Sequence, residues 1–509
     1  MADSVLIGVA PEGPQTLALK RANRHGLVAG ATGTGKTVTL QVLAEQLAKE
    51  GVAVFCADVK GDLCGIAAAG EPPPAWAAAR AAEIKLENYT PEAAPVVFWD
   101  LYGQQGHPVR TTVTEMGPIL MARILDATEA QEGAITIAFK LADDWLKEGK
   151  QEGLLLDMKD LRALLTHMSE NAEAIGKKYG LVTPTTIAAL QRKLLQLEMD
   201  GAEIFFGEPA LEIADLIRTT PEGKGVVNVL MADKLVQSPR LYATFLLWLL
   251  SELWESLPEA GDLPKPKLVF FFDEAHLLFN DAPKELLDRV EQVARLIRSK
   301  GVGVYFITQS PSDVPDMVLS QLGNRIQHAL RAYTPADQKA VRAAAQSFRA
   351  NPGVDVAKEI QELHVGEALV SVLDDKGAPT PVARTLIRPP ASRVGPVTPG
   401  ERAAIINACP LAQKYAAAVD RRSAYEILSA RAAEAQAEEE AEAARAEREK
   451  ERERAARTPA KTARPRTSGG SRTSAAERVG GRVASNVLNT VTRELMRGIF
   501  GTPRRRTRR

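Results

Sequence analysis

Cysteine is nearly missing from this chain: Cys56, Cys64 and Cys409 are the only three in 509 residues. None forms a C-x-x-C pair, so a disulfide scaffold is excluded and unpaired thiols in a reducing compartment are expected. Long hydrophobic runs are missing too. The most apolar stretch, 241–257, is interrupted by Ser251, Glu252 and Glu255, which leaves it too short and too polar to span a bilayer. The N-terminus, MADSVLIGVAPEGPQ, has no basic region leading into an apolar one, so no secretory leader is read there. A cytoplasmic protein without a transmembrane segment is the expectation. Aromatic residues make up only 5% of the chain, and no Lys/Arg stripe marks a nucleic-acid-binding face in the body of the sequence.

Net charge is also absent, since 64 Lys and Arg balance 64 Asp and Glu, but the balance is not local. Residues 457–509 hold fourteen Lys/Arg against two Glu, a net +12, so residues 1–456 carry −12. The pattern is a basic tail on an acidic body.

What is present is an alternation of short apolar runs and helical periodicity. Runs at 25–30, 52–58, 94–100, 225–233, 267–276, 301–310, 324–331 and 367–374 read as buried strands. Helical patterns at 37–50, 238–257, 283–299, 315–322 and 335–348 separate most of them. Such alternation predicts an α/β fold with a mostly parallel central sheet covered on both faces.

The expected organisation is a short β segment at 1–25 and a first core part at 26–107. A mainly helical insertion at 108–222 and a second core part at 223–400 follow. C-terminal helices rich in Ala, Glu and Arg occupy 401–457. A basic, disordered tail, 458–509, ends the chain. Within that tail Val487, Leu488, Val491, Leu495 and Ile499 fall near one helical stripe.

One short stretch carries the chemistry. GATGTGKT, residues 30–37, matches G-x-x-x-x-G-K-[ST] between a strand and a helix. A triphosphate must be met by many donors and little bulk. Glycines at 30, 33 and 35 let the backbone approach closely, and the N–H groups form a nest at a helix N-terminus. The nucleotide-binding set is therefore Gly30, Ala31, Thr32, Gly33, Thr34, Gly35, Lys36, Thr37 and Val38. Lys36 reaches the outer phosphates and the Thr37 hydroxyl holds Mg²⁺. In KLVFFFDEAH, five apolar residues place Asp273 at the end of a buried strand, where it serves the metal. Glu274 follows as the carboxylate that orients the attacking water. Gln309, at the tip of the next apolar strand, is a candidate γ-phosphate sensor. Asp58, ending the strand after the glycine-loop helix, either faces the same crevice or makes a turn. The cofactors implied are ATP and Mg²⁺.

Taken together, HGLVAGATGTGKT, FFFDEAHLLF, GVGVYFITQSPSDVP and LGNRIQHALR resemble the HerA/FtsK superfamily, and within it the HerA-like helicases of the YjgR type. The resemblance covers about residues 5–400. It implies a RecA-like ASCE P-loop core, ATP hydrolysis and a hexameric ring that pulls DNA through a central channel. Lys36, Asp273, Glu274 and Gln309 then take the roles given above. An arginine from the neighbouring subunit completes the site, with Arg325 the first candidate and Arg298 the second. Archaeal members work with a nuclease and carry a small N-terminal β-barrel. Here the glycine loop begins 30 residues in, and no such barrel is expected.

Three functions compete. A DNA translocase or helicase fits the resemblance and the basic tail, which would neutralise phosphates. An ATPase that moves or remodels a polypeptide is the second, with the Ala/Glu/Arg helix at 426–457 and the amphipathic end as docking elements. An oligomeric scaffold with assembly-linked ATPase, held together by the amphipathic tail segment, is the third.

Overall fold

The structure is a computed structural model that describes residues 3–456, apart from 88, 200 and 280–283. The basic tail with its apolar stripe at 487–499 lies outside the described residues. One compact unit spans 1–435 and a second spans 436–509. The described part of the second, 436–456, is helical, and 436–453 are exposed.

The first unit is built on a single twelve-stranded sheet. In chain order its strands are β1 (Ser4–Ala10), β2 (Gly13–Ala18), β3 (Gly26–Ala29), β4 (Ala53–Asp58), β5 (Val96–Asp100) and β6 (His107–Pro108). They continue with β7 (Val227–Met231), β8 (Leu268–Phe272), β9 (Val302–Thr308), β10 (Asn324–Gln327), β11 (Glu367–Ser371) and β12 (Ala383–Ile387). Their spatial order is β2-β1-β12-β11-β10-β3-β9-β8-β4-β7-β5-β6. The seven pairings from β10 to β6 are parallel. The four from β2 to β10 are antiparallel. The N-terminal β segment is thus a hairpin that adds two strands to the edge of the same sheet. β12 alternates buried and half-buried positions, with Arg384 and Leu386 half-buried; its short, mixed run ARTLI escapes a search for continuous apolar strands.

Alternate side chains of each central strand feed opposite cores, as a parallel sheet buried on both faces requires. Val269 and Phe271 of β8 join Val54, Cys56, Tyr305 and Ile307 on one face, where Leu40, Leu43 and Leu47 of α1 (Lys36–Lys49) pack. Phe270 and Phe272 join Phe55, Val304 and Phe306 on the other. That second face is covered by the helix Pro239–Ser256 and by the helical region between β6 and β7, whose Leu161, Leu164, Leu190 and Leu194 belong to the same core. The insertion is therefore one of the two layers that shield the sheet from water.

Register brings the chemistry to one edge. Ala29 lies opposite Thr308 and Gln327, while Phe272 lies opposite Phe306. The chain leaves β3, β9, β8 and β4 on the same side of the sheet, with β9 seated between β3 and β8. Crevices at the carboxyl ends of parallel strands are where such folds bind ligands.

Candidate active site

The glycine loop leaves β3 and turns into α1. Gly33 and Gly35 sit at φ 78° and 109°, backbone that side chains rarely adopt. Gly30 is required for space, because a Cβ there would lie 2.5 Å from the Cβ of His328. Loop geometry is held by its own polar groups: Thr34 Oγ1 donates to the Ala31 carbonyl at 2.7 Å, and the Gly366 N–H donates to the Thr34 carbonyl at 3.2 Å. Thr32 and Gly33 are exposed, Ala31, Gly35, Thr37 and Val38 are half-buried, and Lys36 is buried. The Lys36 ammonium folds back onto the loop and donates to the carbonyls of Gly30 (2.6 Å) and Ala31 (3.0 Å). Burial, then the charge of Lys60, pulls its pKa down. Its hydrogen bonds go to neutral carbonyls, while the charges of Asp273 and Glu274 act on it from across the crevice and partly offset the shift.

The acidic pair faces this loop from the end of β8. Glu274 adopts φ 50°, an uncommon conformation for a non-glycine residue and one that concentrates at functional sites. Glu274 is buried at this turn, which leads into the short helix His276–Phe279. The Asp273 carboxylate accepts from the Glu274 N–H at 2.9 Å, while the buried Tyr242 hydroxyl donates to the Asp273 carbonyl at 3.1 Å. Burial, and then the adjacent Glu274 charge, pushes the Asp273 carboxyl up to about 6. Burial also works on Glu274, but the hydrogen bond and charge of Lys60 outweigh it and hold that carboxyl below its usual value; the Gln309 side chain contributes in the same direction. Lys60 Nζ lies 2.9 Å from Glu274 Oε1, and His276 Nδ1 lies 3.3 Å from Oε2.

Among the described residues no group of three or more His, Cys, Asp or Glu side chains forms a metal site. A divalent cation here would take Thr37 and Asp273 from the protein and its other ligands from phosphate and water, the usual arrangement for Mg²⁺. The donors fit: a hydroxyl and a carboxylate are the hard oxygen ligands Mg²⁺ takes, and a cation beside Asp273 would offset the burial and the Glu274 charge that raise its pKa.

Sequence comparison adds an independent finding. The family described as "Helicase HerA-like C-terminal" matches residues 4–508. The chain belongs to this HerA-like family. A DNA double-strand break repair helicase HerA from Sulfolobus acidocaldarius is 22% identical over 354 residues, 68% of this chain and 62% of that protein. A probable helicase of Methanocaldococcus jannaschii, MJECL08, is 32% identical over 154 residues, 28% of each chain. The chain therefore spans less than two thirds of the length of these curated relatives. Among solved structures, the bacterial conjugative coupling protein TrwBdeltaN70 superposes with a TM-score of 0.51 at 16% identity, covering 78% of this chain and 91% of that one. Plasmid coupling protein TrwB in complex with ADP and Mg²⁺ gives 0.52 at the same identity and coverage. At that identity the similarity establishes a shared P-loop ATPase fold.

The remaining sequence candidates of this HerA-like chain fall in different places. Gln309 joins the crevice beside Glu274. Asp58 makes the turn: its carboxylate accepts from the N–H groups of Gly61 (2.7 Å) and Cys64 (2.9 Å). Arg325 does not approach the glycine loop. It sits at the opposite end of the sheet, where Nε and both terminal nitrogens donate to the carbonyls of Leu322 (3.2 Å), Ser347 (3.1 Å) and Leu319 (3.1 Å). Arg298, exposed in the turn before β9, lies at that same end, close enough to Arg24 to depress its pKa after burial has done so. Sequence reading missed Lys60, His276 and His328. His276 is visible in the run DEAH, but Lys60 carries no local signal beyond a glycine turn at a strand end. His328 is buried, bonds Thr39 Oγ1 at 2.9 Å and walls the loop at Gly30.

Proposed function

We propose that this chain is an Mg²⁺-dependent ATPase that works as a hexameric ring and drives translocation or unwinding of DNA. The observation that carries the reading is the crevice itself: a glycine nest with an inward lysine, opposed by an Asp–Glu pair on a strained turn, with Gln309 on the strand between them. The name of the Sulfolobus relative, a DNA double-strand break repair helicase, supports DNA as the substrate.

Backbone N–H groups of the loop and the N-terminus of α1 hold the phosphates. Lys36 exchanges its carbonyl partners for phosphate oxygens, a charge-assisted bond that is stronger than the one it leaves. Bound Mg²⁺ supplies neutralisation of charge on the phosphates. Glu274 accepts a proton from the attacking water, and Gln309 orients it. A neighbouring subunit contributes an arginine, in keeping with the places of Arg325 and Arg298 away from the glycine loop of their own chain. Arg298 is exposed in the turn before β9, at the end of the strands away from the glycine loop, whereas Arg325 must give up three hydrogen bonds to serve.

The deciding experiment is the steady-state ATPase rate with and without linear duplex DNA, beside a Lys36→Ala control. Stimulation by DNA that the control lacks supports the DNA motor. A robust rate that DNA leaves unchanged overturns the DNA reading and assigns the stroke to a polypeptide substrate. A wild-type rate no higher than that of the control overturns the ATPase reading.

A further inference from the structure

We propose that Lys60 discriminates a triphosphate from a diphosphate and, by changing partners, releases Glu274 to act as the general base. The inference rests on reading the crevice as an ATPase site.

Three observations converge on Lys60. It is aimed by a rigid turn: both oxygens of Asp58 are occupied by the N–H groups of Gly61 and Cys64, and Gly61 takes φ 76°. Its ammonium lies 2.9 Å from Glu274, yet its side chain is 41% exposed against 9% for the glutamate. It is also the foremost charge acting on Lys36. Two ammonium groups therefore meet in the space between the glycine loop and the acidic pair, where the terminal phosphate of a bound triphosphate would extend. There the two ammonium groups are matched by the carboxylates of Asp273 and Glu274, and a terminal phosphate would offer Lys60 a more highly charged partner than Glu274.

The pair is also an inhibited state. With Lys60 Nζ 2.9 Å from Glu274 Oε1, that oxygen is occupied by the ammonium and is not open to accept from a water. The Glu274 side chain, only 9% exposed, has little room to turn away. Lys60 can, through a flexible four-carbon stem. A terminal phosphate offers Lys60 more negative charge than Glu274 does. Once the lysine moves, Glu274 is free to take the proton as the water oxygen bonds to phosphorus and the bridging P–O bond breaks to give ADP and phosphate. With only a diphosphate present that partner is gone and the Lys60–Glu274 pair re-forms. The lysine is thus a positioning residue for the base and a selectivity residue for the third phosphate.

The test uses the full chain and calorimetric affinities for ADP and for a non-hydrolysable ATP analogue, both with Mg²⁺. Lys60→Met is expected to leave ADP affinity within about twofold and to lower analogue affinity by about tenfold, the size of one charge-assisted hydrogen bond. Lys60→Arg is expected to restore most of the analogue-to-ADP ratio, which a merely structural role would not predict. A Lys60→Met protein with the wild-type ratio overturns the inference. So does a ratio lost in Met and not recovered in Arg, which assigns the loss to the turn. Wild-type protein that binds neither nucleotide overturns the ATPase reading itself, a result distinct from either of these.

Discussion

Acid should unfold this protein partly through His25, and the size of the effect follows from its surroundings. His25 is buried at the start of β3, and its Nδ1 accepts the N–H of Val304 at 2.9 Å. Burial first, and the nearby Arg298 and Arg24 in addition, lower its pKa from 6.5 to about 4. In the unfolded chain the imidazole takes a proton near pH 6.5, while in the folded chain it resists until about 4. The folded state therefore holds this contribution fully above 6.5 and loses it as pH falls toward 4. At 1.36 kcal/mol per pKa unit the loss is about 3 kcal/mol, with a limiting slope of about 1.4 kcal/mol per pH unit. That is a large share of a stability of about 5–15 kcal/mol. His25→Asn is the informative variant. Its side-chain oxygen can accept from Val304, and asparagine tolerates the φ of 57° found at this position. The variant leaves a small cavity and is less stable at pH 7, but its unfolding free energy should fall less steeply between pH 6.5 and 4, by about one proton's worth. Urea titrations at half-unit pH steps measure this. A residual slope is expected from His328, whose pKa burial also lowers to about 4. Parallel pH profiles for the variant and the wild type would refute the argument.

Three further outcomes are expected. Gly30→Ala places a methyl 2.5 Å from the His328 Cβ and should distort the loop, lowering Tm by the equivalent of about 1–3 kcal/mol of overpacking and weakening nucleotide binding in the same titration. Arg325→Ala strips donors from three carbonyls, so thermal melts should show a cost of about 1–3 kcal/mol even without nucleotide; an unchanged melt with lost activity would instead favour a role at a neighbour's site. Glu274→Gln should keep ATP binding and cut the hydrolysis rate by about 10²–10⁴-fold in a phosphate-release assay. Retained hydrolysis would remove Glu274 from the role of base.

Much of the nucleotide crevice is legible in the chain because its parts are local. A phosphate nest needs successive glycines at positive φ followed by a helix, and Gly30, Gly33, Gly35 and the apolar spacing of α1 state that within twenty residues. Five apolar residues before Asp273 and the run before Gln309 declare buried strands, and in parallel strands the following residue must emerge at the carboxyl edge. Asp58 illustrates the limit. Its position at a strand end suits either crevice or turn, and only the N–H groups of Gly61 and Cys64 decide for the turn.

The sequence by itself determined the loop that meets phosphates, the acids that follow β8, and the alternation that makes a sheet buried on both faces, since backbone preference and hydrophobic period act over a few residues. Only the tertiary structure decided which strands are neighbours. Placing β9 between β3 and β8 delivers Gln309 to Glu274, and placing β4 beside β8 brings Lys60 within 2.9 Å of a carboxylate more than two hundred residues away. The same packing turns Arg325 inward onto three carbonyls. Ion pairs and buried hydrogen bonds of this kind depend on distances that packing sets, and no local pattern in the chain encodes them.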